Sequence, residues 1–363
     1  MKRLLGAVLA VGLIAGVVVL VQQNCCHGSG PQGGTVAVSG LIGSEKTSFF
    51  DDPQVAKAFA DKQLTVRTDH AGSWQMAGLV GRGKYDFAIP AADVIGKEIP
   101  DQVTTVPVRP FYSPLVVVAR QATVAALETA GLVKSSDDGR FEVFKTADYL
   151  AAVKQRKTWN DPNHPELRGQ IYLSTTDPQS SASAALYLAA MAYLDNNNSV
   201  VADQGQAVKE GQALKVLMQP QGALLASSDQ LMRDFLANAG HPLIWTYESE
   251  VAERAHDGTL PDDVRVLYPD ITIQSDHTVV ELTPAAHKLA LALQDDPKLV
   301  KLEADHGFRP ESDPDAFARE MGDKVVTTNH FAPNVADLKT AQAVSPSSDL
   351  LKDLITAATG GTG

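Results

Sequence analysis

Cysteine is scarce in this chain of 363 residues. Its two cysteines, Cys25 and Cys26, are adjacent and lie near the N-terminus, so they cannot cross-link distant parts of a fold. This excludes a disulfide-stabilised scaffold and a thiol nucleophile within the main folded region. The pair is compatible with acylation, with a vicinal or intermolecular disulfide, and with an exposed position that has no role in folding.

Basic residues are outnumbered by acidic ones. The chain has 31 Lys and Arg against 43 Asp and Glu, which gives a formal net charge of -12. No dense run of Lys or Arg occurs, and a protein that binds nucleic acid needs a basic face to pair with phosphates. We therefore expect no nucleic acid partner. A small anion is not excluded, because helix N-termini and uncharged donors bind anions without a net positive charge.

Signature motifs of several enzyme classes are also missing. The sequence has no G-x-S-x-G elbow, no H-E-x-x-H zinc site and no phosphate-binding G-x-x-x-x-G-K-[ST] loop. The nine histidines are scattered without the spacing of metal ligands. We therefore predict that the protein is not an enzyme and uses no metal and no cofactor. A serine hydrolase is the weakest alternative, since the sequence places no base beside a serine.

One long hydrophobic run is present, at the N-terminus. The uncharged segment 4–21 follows Lys2 and Arg3 and is about long enough to cross a bilayer. We predict a transmembrane anchor or signal segment at residues 1–21, a flexible Gly-rich linker at 22–34, and a single-pass protein of the cell membrane with an extracytoplasmic C-terminal domain. The alternative is a lipoprotein, which is less favoured because Asn24 stands where lipid attachment usually requires a small residue.

From Thr35 onward, short apolar segments alternate with helical ones. TVAVSGLI, DDPQVAKAFADK and LTVRTD have the order strand, helix, strand, and the pattern returns in the second half with RGQIYLSTTDP and SASAALYLAAMAYL. This order predicts an α/β fold with a parallel sheet covered by helices. Residues 331–363 are rich in small and polar residues, so we expect a loosely attached C-terminal tail with one helix at 348–358.

Taken together, six segments resemble the type II periplasmic-binding-protein superfamily, the extracellular solute-binding proteins of ABC importers, and especially its molybdate-like oxyanion-binding branch. In order, they are GLIGSEK, HAGSWQ, YDFAIPAAD, SPLVVVAR, LSTTDPQSSAS and PLIWTYESE. The resemblance implies two hinged lobes, lobe 1 at residues 35–117 and 265–330 and lobe 2 at 118–264. Strands near Leu115–Ala119 and Val264–Leu267 would form the hinge.

Hydroxyl side chains follow several of the predicted strands, where open α/β sheets bind their ligands. Ser44 and Ser73 follow the first two strands, and Ser180 and Ser181 precede a helix whose unpaired N–H groups favour an anion. The resemblance implies that Ser44, Ser73 and Tyr247 supply hydroxyl groups to a ligand. The serines at 180 and 181 can instead be simple helix caps, and Tyr247 can be a core residue.

Charged residues near these loops, Lys46 and His70 among them, are expected to be solvated surface groups. Together with the apolar run at residues 4–21, the resemblance implies a membrane-tethered protein that captures a small-molecule or oxyanion ligand between its lobes and delivers it to an ABC permease. The alternative is an anchored sensor or interaction subunit that signals to another membrane partner.

Overall fold

The computed structural model describes residues 34–81, 83–104, 106–159, 167–338 and 340–360. The predicted membrane segment, residues 1–21, lies outside these residues, as does the linker up to residue 33. Within the described ranges, no helix combines the length and the apolar character that crossing a bilayer requires. The folded unit begins at Val36.

A mixed parallel and antiparallel sheet lies at the centre of this unit. Its strands and the short pair β9 and β12 are β1 Val36–Ile42, β2 Leu64–His70, β3 Phe87–Ile89, β4 Val108–Arg120, β5 Val133–Ser135, β6 Glu142–Phe144, β7 Leu243–Tyr247, β8 Val264–Pro269, β9 Ile271–Thr272, β10 Gln274–Glu281, β11 Arg309–Pro310 and β12 Ala341–Gln342. The order is β2-β1-β3-β10-β4-β8-β6-β5, and β7 and β11 also pair with β4. Strand β1 is parallel to both β2 and β3, so the predicted α/β fold is confirmed.

Helices cover this sheet. They are α1 Thr47–Asp51, α2 Pro53–Asp61, α3 Ser73–Val80, α4 Asp93–Gly96, α5 Gln121–Thr129, α6 Thr146–Lys154, α7 Ala182–Asp195, α8 Gln204–Met218, α9 Ser228–Leu236, α10 Glu248–His256, α11 Ala286–Asp295, α12 Pro297–Asp305, α13 Ala316–Asn329 and α14 Ser348–Thr359. Local chemistry explains where α2 begins: Pro53 occupies its first position, and the Asp52 carboxylate accepts a hydrogen bond from Gln54 N–H at 2.6 Å.

Strand β4 joins the two lobes. Its first half, up to Pro114, pairs with β10 of lobe 1, whereas Leu115 to Arg120 pair with β7 and β8 of lobe 2. The chain returns to lobe 1 between Thr272 and Gln274, where β10 begins. This return lies closer to the C-terminus than the predicted crossing at Val264–Leu267, because all of that segment pairs with strands of lobe 2.

Lobe 2 is built around α7, which is apolar on all sides. Residues 182–192 of this helix are buried, which is the expected behaviour of a helix without a polar face. The strand predicted before it, in RGQIYLSTTDP, forms only isolated bridges at Gln170, Ser174 and Thr176 in the described residues. Side chains supplement these few backbone bonds: Leu173 N–H donates to the Tyr149 hydroxyl at 2.9 Å, and Thr175 N–H donates to the Gln221 side-chain oxygen at 2.7 Å.

The C-terminal residues do not form a loosely attached tail, so this expectation was wrong. The predicted helix is present as α14, but Leu351, Leu354 and Ile355 are buried in the apolar core of lobe 2. Strand β12 also pairs with β9 beside the return crossing. The apolar residues at 351, 354 and 355 have helical spacing, and burial of that stripe stabilises the segment more than its small and polar residues weaken it.

A buried ion pair connects the lobes beside the hinge. Arg309 of β11 donates to the Glu248 carboxylate from Nε at 2.6 Å and from Nη2 at 2.8 Å, and both side chains are almost fully buried. The Tyr268 hydroxyl also donates to Glu248. The remaining Arg309 donors reach the carbonyls of Ala332 and Pro333. Four of the five Arg309 N–H groups and both Glu248 oxygens thus have partners, as a buried charge pair requires.

Removing one partner of this pair should be strongly destabilising. We expect Arg309→Met to lower the free energy of unfolding by about 3–5 kcal/mol, because Glu248 stays buried without its counter-charge. Adding Glu248→Leu removes both charges and should recover much of this loss. Urea unfolding measures both values. The exposed pair of Lys57 and Asp61 supplies the control, Lys57→Met, and an equal loss in the single and double variants would contradict the pairing.

Candidate functional site

A cavity of about 260 Å³ lies between the lobes at the ends of several strands. Lobe 1 contributes Gly43, Ser44, Glu45, His70, Ala71, Gly72, Ser73 and Gln75, and lobe 2 contributes Ser180, Ser181, Ala182, Ala226, Ser227, Ser228 and Tyr247. The structure thus brings all the predicted site residues, Ser44, Ser73, Ser180, Ser181 and Tyr247, to one cavity. Whether they bind a ligand stays a prediction.

Helix starts surround this cavity. Helix α3 of lobe 1 and helices α7, α9 and α10 of lobe 2 have their N-cap or first residue in its lining. The first turn of a helix carries N–H groups without partners inside the helix and the positive end of the helix dipole. Some of these N–H groups already have partners outside their helices, since the backbone N–H groups of Trp74, Gln230 and Ser249 donate to Ser180 O, Ser227 Oγ and Ser113 Oγ. The helix dipoles and the hydroxyl groups of the lining still suit an anion or another group rich in hydrogen-bond acceptors.

The lining serines differ in what they can offer a ligand. The Ser73 oxygen accepts a hydrogen bond from Ala91 N–H at 3.2 Å, which leaves its proton free to be donated. The Ser180 hydroxyl instead donates to the Asp177 carbonyl at 3.3 Å. Ser181 occupies the N-cap of α7, but in the described residues its side chain makes no capping bond. The helix-cap alternative therefore fails for Ser181.

Tyr247 ends β7 and is 2% exposed. Burial raises the pKa of its hydroxyl well above the usual value, and hydrogen bonds from Ser183 oppose this effect. Ser183 in turn contacts the hydroxyls of Ser181 at 3.1 Å and Thr176 at 3.0 Å. The tyrosine stays neutral at physiological pH and is held by a hydroxyl network at the start of α7.

A buried charge cluster lies beneath the lobe 1 side of the cavity. Lys46 is completely buried, which corrects the expectation that it is a solvated surface residue, and it forms an ion pair with the lining residue Glu45. Burial lowers the pKa of Lys46, while Glu45 acts to raise it. The Lys46 ammonium also lies 3.0 Å from Nδ1 of His277. Burial and the charge of Lys46 hold the pKa of His277 well below its usual value, so the imidazole accepts this hydrogen bond.

The cluster continues to Ser73. His277 Nε2 lies 3.4 Å from the hydroxyl of Ser275, which donates to the Ala91 carbonyl. The N–H of the same residue, Ala91, is the donor to Ser73. A chain of buried polar contacts therefore positions Ser73 relative to Lys46, although the two residues lie on different elements.

Lobe 2 adds a second acid, Glu250, near this cluster. Its carboxylate accepts hydrogen bonds from Ser228, at 2.8 Å, and from Thr246. Burial raises the pKa of Glu250 to about 7; these hydrogen bonds and Arg254 lower it, and Glu45 raises it further. Glu250 therefore fixes the orientation of the Ser228 hydroxyl. Ser228 is the first residue of α9 and lines the cavity.

The sequence does not single out Glu45, Ser228 and Glu250 as site residues, because each has a weak local signal. Glu45 lies in GSEK beside the predicted Ser44, so its position after β1 was the available clue. Ser228 follows Ser227, which accepts a hydrogen bond from Gln230 N–H at 3.3 Å and caps α9. Glu250 acquires its role only through packing.

The lobes touch at the cavity edge. The backbone N–H of Trp74 in lobe 1 donates a hydrogen bond to the Ser180 carbonyl of lobe 2 at 3.4 Å. A Cβ atom on Gly72 would lie 2.6 Å from the same carbonyl oxygen, closer than real contacts allow. Glycine at 72 thus permits the close approach of the two backbones, and the structure has a closed cleft.

No family model matches the chain, and no curated protein matches it. Solved structures do. The sulfate-binding protein SubI from Mycobacterium tuberculosis H37Rv is 17% identical, with a TM-score of 0.50 over 90% of this chain and 96% of that one. AfuA, a periplasmic binding protein from Actinobacillus pleuropneumoniae with fructose-6-phosphate bound, is 13% identical, with a TM-score of 0.55 over 88% and 96%. A two-component system protein that mediates signal transduction is 12% identical, with a TM-score of 0.51 over 86% and 95%.

The fold is therefore a two-lobed α/β fold like that of the periplasmic binding protein AfuA. Identities of 12–17% carry no information on the ligand, so the oxyanion-binding branch suggested by the sequence is not distinguished from the others. SubI and AfuA are both named as binding proteins, and the absence of enzyme activity in this chain stays a prediction.

Titration of Glu250 should make stability depend on pH. The folded protein binds the Glu250 proton more tightly than the unfolded chain does, because the pKa is about 7 rather than 4.5. This tighter proton binding adds at most about 3 kcal/mol to the free energy of unfolding. The added stability is complete below pH 4.5 and is lost as the pH rises through 7. We expect Glu250→Gln to remove this part of the pH dependence in urea unfolding between pH 5 and 8. The exposed Glu128→Gln is the control, and identical pH profiles for Glu250→Gln and the parent would refute the assignment.

Proposed function

We propose that this chain is an extracytoplasmic solute-binding protein that captures a small polar ligand between its lobes. The observation that carries the proposal is the cavity to which both lobes bring hydroxyl groups and helix N-termini. A ligand can favour the closed cleft only through contacts to both lobes. The arrangement supports capture by closure, because Ser73 and Tyr247 reach the cavity from opposite sides.

The lining chemistry favours a ligand with an acceptor-rich group, an oxyanion in the simplest case. Hydroxyl protons and helix N-termini stabilise negative charge and disfavour a bare cation. The Glu45 carboxylate adds a second requirement: a ligand atom beside it should be a donor, such as an O–H or N–H group. A volume of about 260 Å³ lies below the usual range of pockets for drug-sized ligands, which points to a small metabolite or an inorganic ion with water.

Delivery to an ABC permease is the role we propose for the captured ligand, with the protein tethered to the cell membrane by residues 1–21. A sensor that signals to another membrane partner is the second candidate. The likeness to a signal-transducing two-component protein favours that candidate as a fold-level analogy.

Variants at the serines should separate binding residues from scaffold residues. A thermal-shift screen of sulfate, phosphate, phosphate monoesters and small polyols first identifies a ligand. We then expect Ser44→Ala, Ser73→Ala and Tyr247→Phe to weaken binding by about 1–3 kcal/mol each, because a desolvated ligand atom loses its donor. Ser180→Ala should have a smaller effect, since its proton is already donated to Asp177.

Calorimetry measures these affinities, and thermal melting reports folding separately. The matched control is Ser136→Ala, which removes a hydroxyl that donates to Asp138 and does not line the cavity. Unchanged affinity in Ser44→Ala, Ser73→Ala and Tyr247→Phe would remove the site assignment.

The proposed tether also has a direct test. Full-length protein should fractionate with membranes and resist extraction by high salt, because an apolar segment of this length partitions into the bilayer. Mass spectrometry of the N-terminus should find residues 1–21 retained. Diacylglycerol on Cys25 or Cys26 would establish the lipoprotein alternative instead, and a mature N-terminus after residue 21 without lipid would exclude both.

A further inference from the structure

The C-terminal segment runs from the hinge to the ligand cavity. Strand β12 lies parallel to β9 where the chain returns to lobe 1. Helix α14 then packs along α8. At the C-terminal end of α14, the Thr359 hydroxyl oxygen accepts a hydrogen bond from Gln179 Nε2 at 3.2 Å. Gln179 precedes the cavity residues Ser180 and Ser181, so α14 flanks one side of the cleft.

Apolar packing attaches α14 firmly to lobe 2. Leu351 and Leu354 are fully buried against the core that contains α7 and α8. The two helices approach so closely that a Cβ atom on Gly211 of α8 would lie 2.4 Å from the Leu354 carbonyl oxygen. Helix α14 is therefore an integral part of lobe 2 and must move with it.

Contact between α14 and lobe 1 is of a different kind. The Ser348 hydroxyl and the Lys352 ammonium both donate to the carboxylate of Glu98, which follows α4 in lobe 1. Lys352 Nζ also lies 5.7 Å from the ring centre of Trp74. Beside these contacts, a cavity of about 610 Å³ separates residues 342–348 from residues 92–97. The direct polar contacts of α14 with lobe 1 are thus partly exposed, and such contacts break at small cost. The apolar cluster that buries Leu351 also reaches Ala92 and Ile95 of lobe 1.

These contacts are coupled to closure of the ligand site. Trp74 directly follows the cavity residue Ser73. The backbone N–H of Trp74 donates to the Ser180 carbonyl of lobe 2. Separation of the lobes at Ser180 would therefore also separate Trp74 and Glu98 from Lys352.

We propose that α14 is a latch that keeps the cleft closed. The helix moves with lobe 2 and binds lobe 1 through the contacts of Ser348 and Lys352 with Glu98 and of Lys352 with Trp74. The latch sets how much of the protein is closed before ligand arrives. It rests on the proposed function in one respect, that closure is how this protein retains its ligand.

Hydrogen exchange of the full-length protein without added ligand tests the latch. We expect Lys352→Met and Glu98→Gln each to speed amide exchange about two- to fivefold in peptides covering residues 72–76 and 177–183, because a partly exposed ion pair shifts an opening equilibrium by that order. Exchange within residues 351–358 should not change, since α14 stays packed on lobe 2. The double charge swap, Glu98→Lys with Lys352→Glu, should restore the parent rates. Lys301→Met, which breaks an ion pair with Asp305 inside lobe 1, is the control.

Two results would overturn the latch. One is unchanged exchange at both edges of the cleft in Lys352→Met and in Glu98→Gln. The other is faster exchange within α14 itself, because the ion pair would then anchor the helix rather than the lobes. Neither result bears on whether the cavity binds a ligand, and failure of the ligand screen leaves this measurement valid.

Discussion

The buried ion pair between Glu248 and Arg309 is the interaction on which the arrangement of the lobes depends. Charges without water require a complete set of partners, and here Tyr268 and backbone carbonyls supply the rest. Glu248 is the first residue of α10, so the pair holds the start of that helix against β11. Tyr247 precedes it and Glu250 follows two residues later. One fixed helix start thus sets the position of a cavity wall and of the acid that holds Ser228.

Closure of the cleft carries an electrostatic cost. In the closed cleft Glu250 of lobe 2 lies near Glu45 and Lys46 of lobe 1, and all three side chains are buried away from water. The ion pair of Glu45 with Lys46 and the hydroxyl bonds to Glu250 compensate in part. A ligand that accepts hydrogen bonds from both lobes would add the remaining stabilisation, whereas the latch formed by Lys352 and Glu98 would reduce the cost before ligand binds.

Local patterns in the sequence predicted the parts of the fold that depend on neighbouring residues. The helix start at Asp52 and Pro53 and the serines that follow β1 and β2 are of this kind. Contacts between distant residues could not be read in the same way: Lys46 and His277 are 231 positions apart, and the burial of Lys46 follows from that pairing. The C-terminal segment was misjudged because its small residues outweighed the helical spacing of Leu351, Leu354 and Ile355, whose partners lie on α8.

The use of uncharged donors explains how an acidic protein can provide a site for an acceptor-rich ligand. Backbone N–H groups at helix starts belong to the fold, so side-chain substitution does not remove them. The same skeleton can therefore hold different solutes, as the structures with sulfate-binding and fructose-6-phosphate-binding descriptions illustrate. Discrimination then falls to the few side chains that complete the lining. In the proposed site, Glu45 would distinguish ligands most sharply, because a carboxylate beside a donor is stabilising and beside a second anion is repulsive.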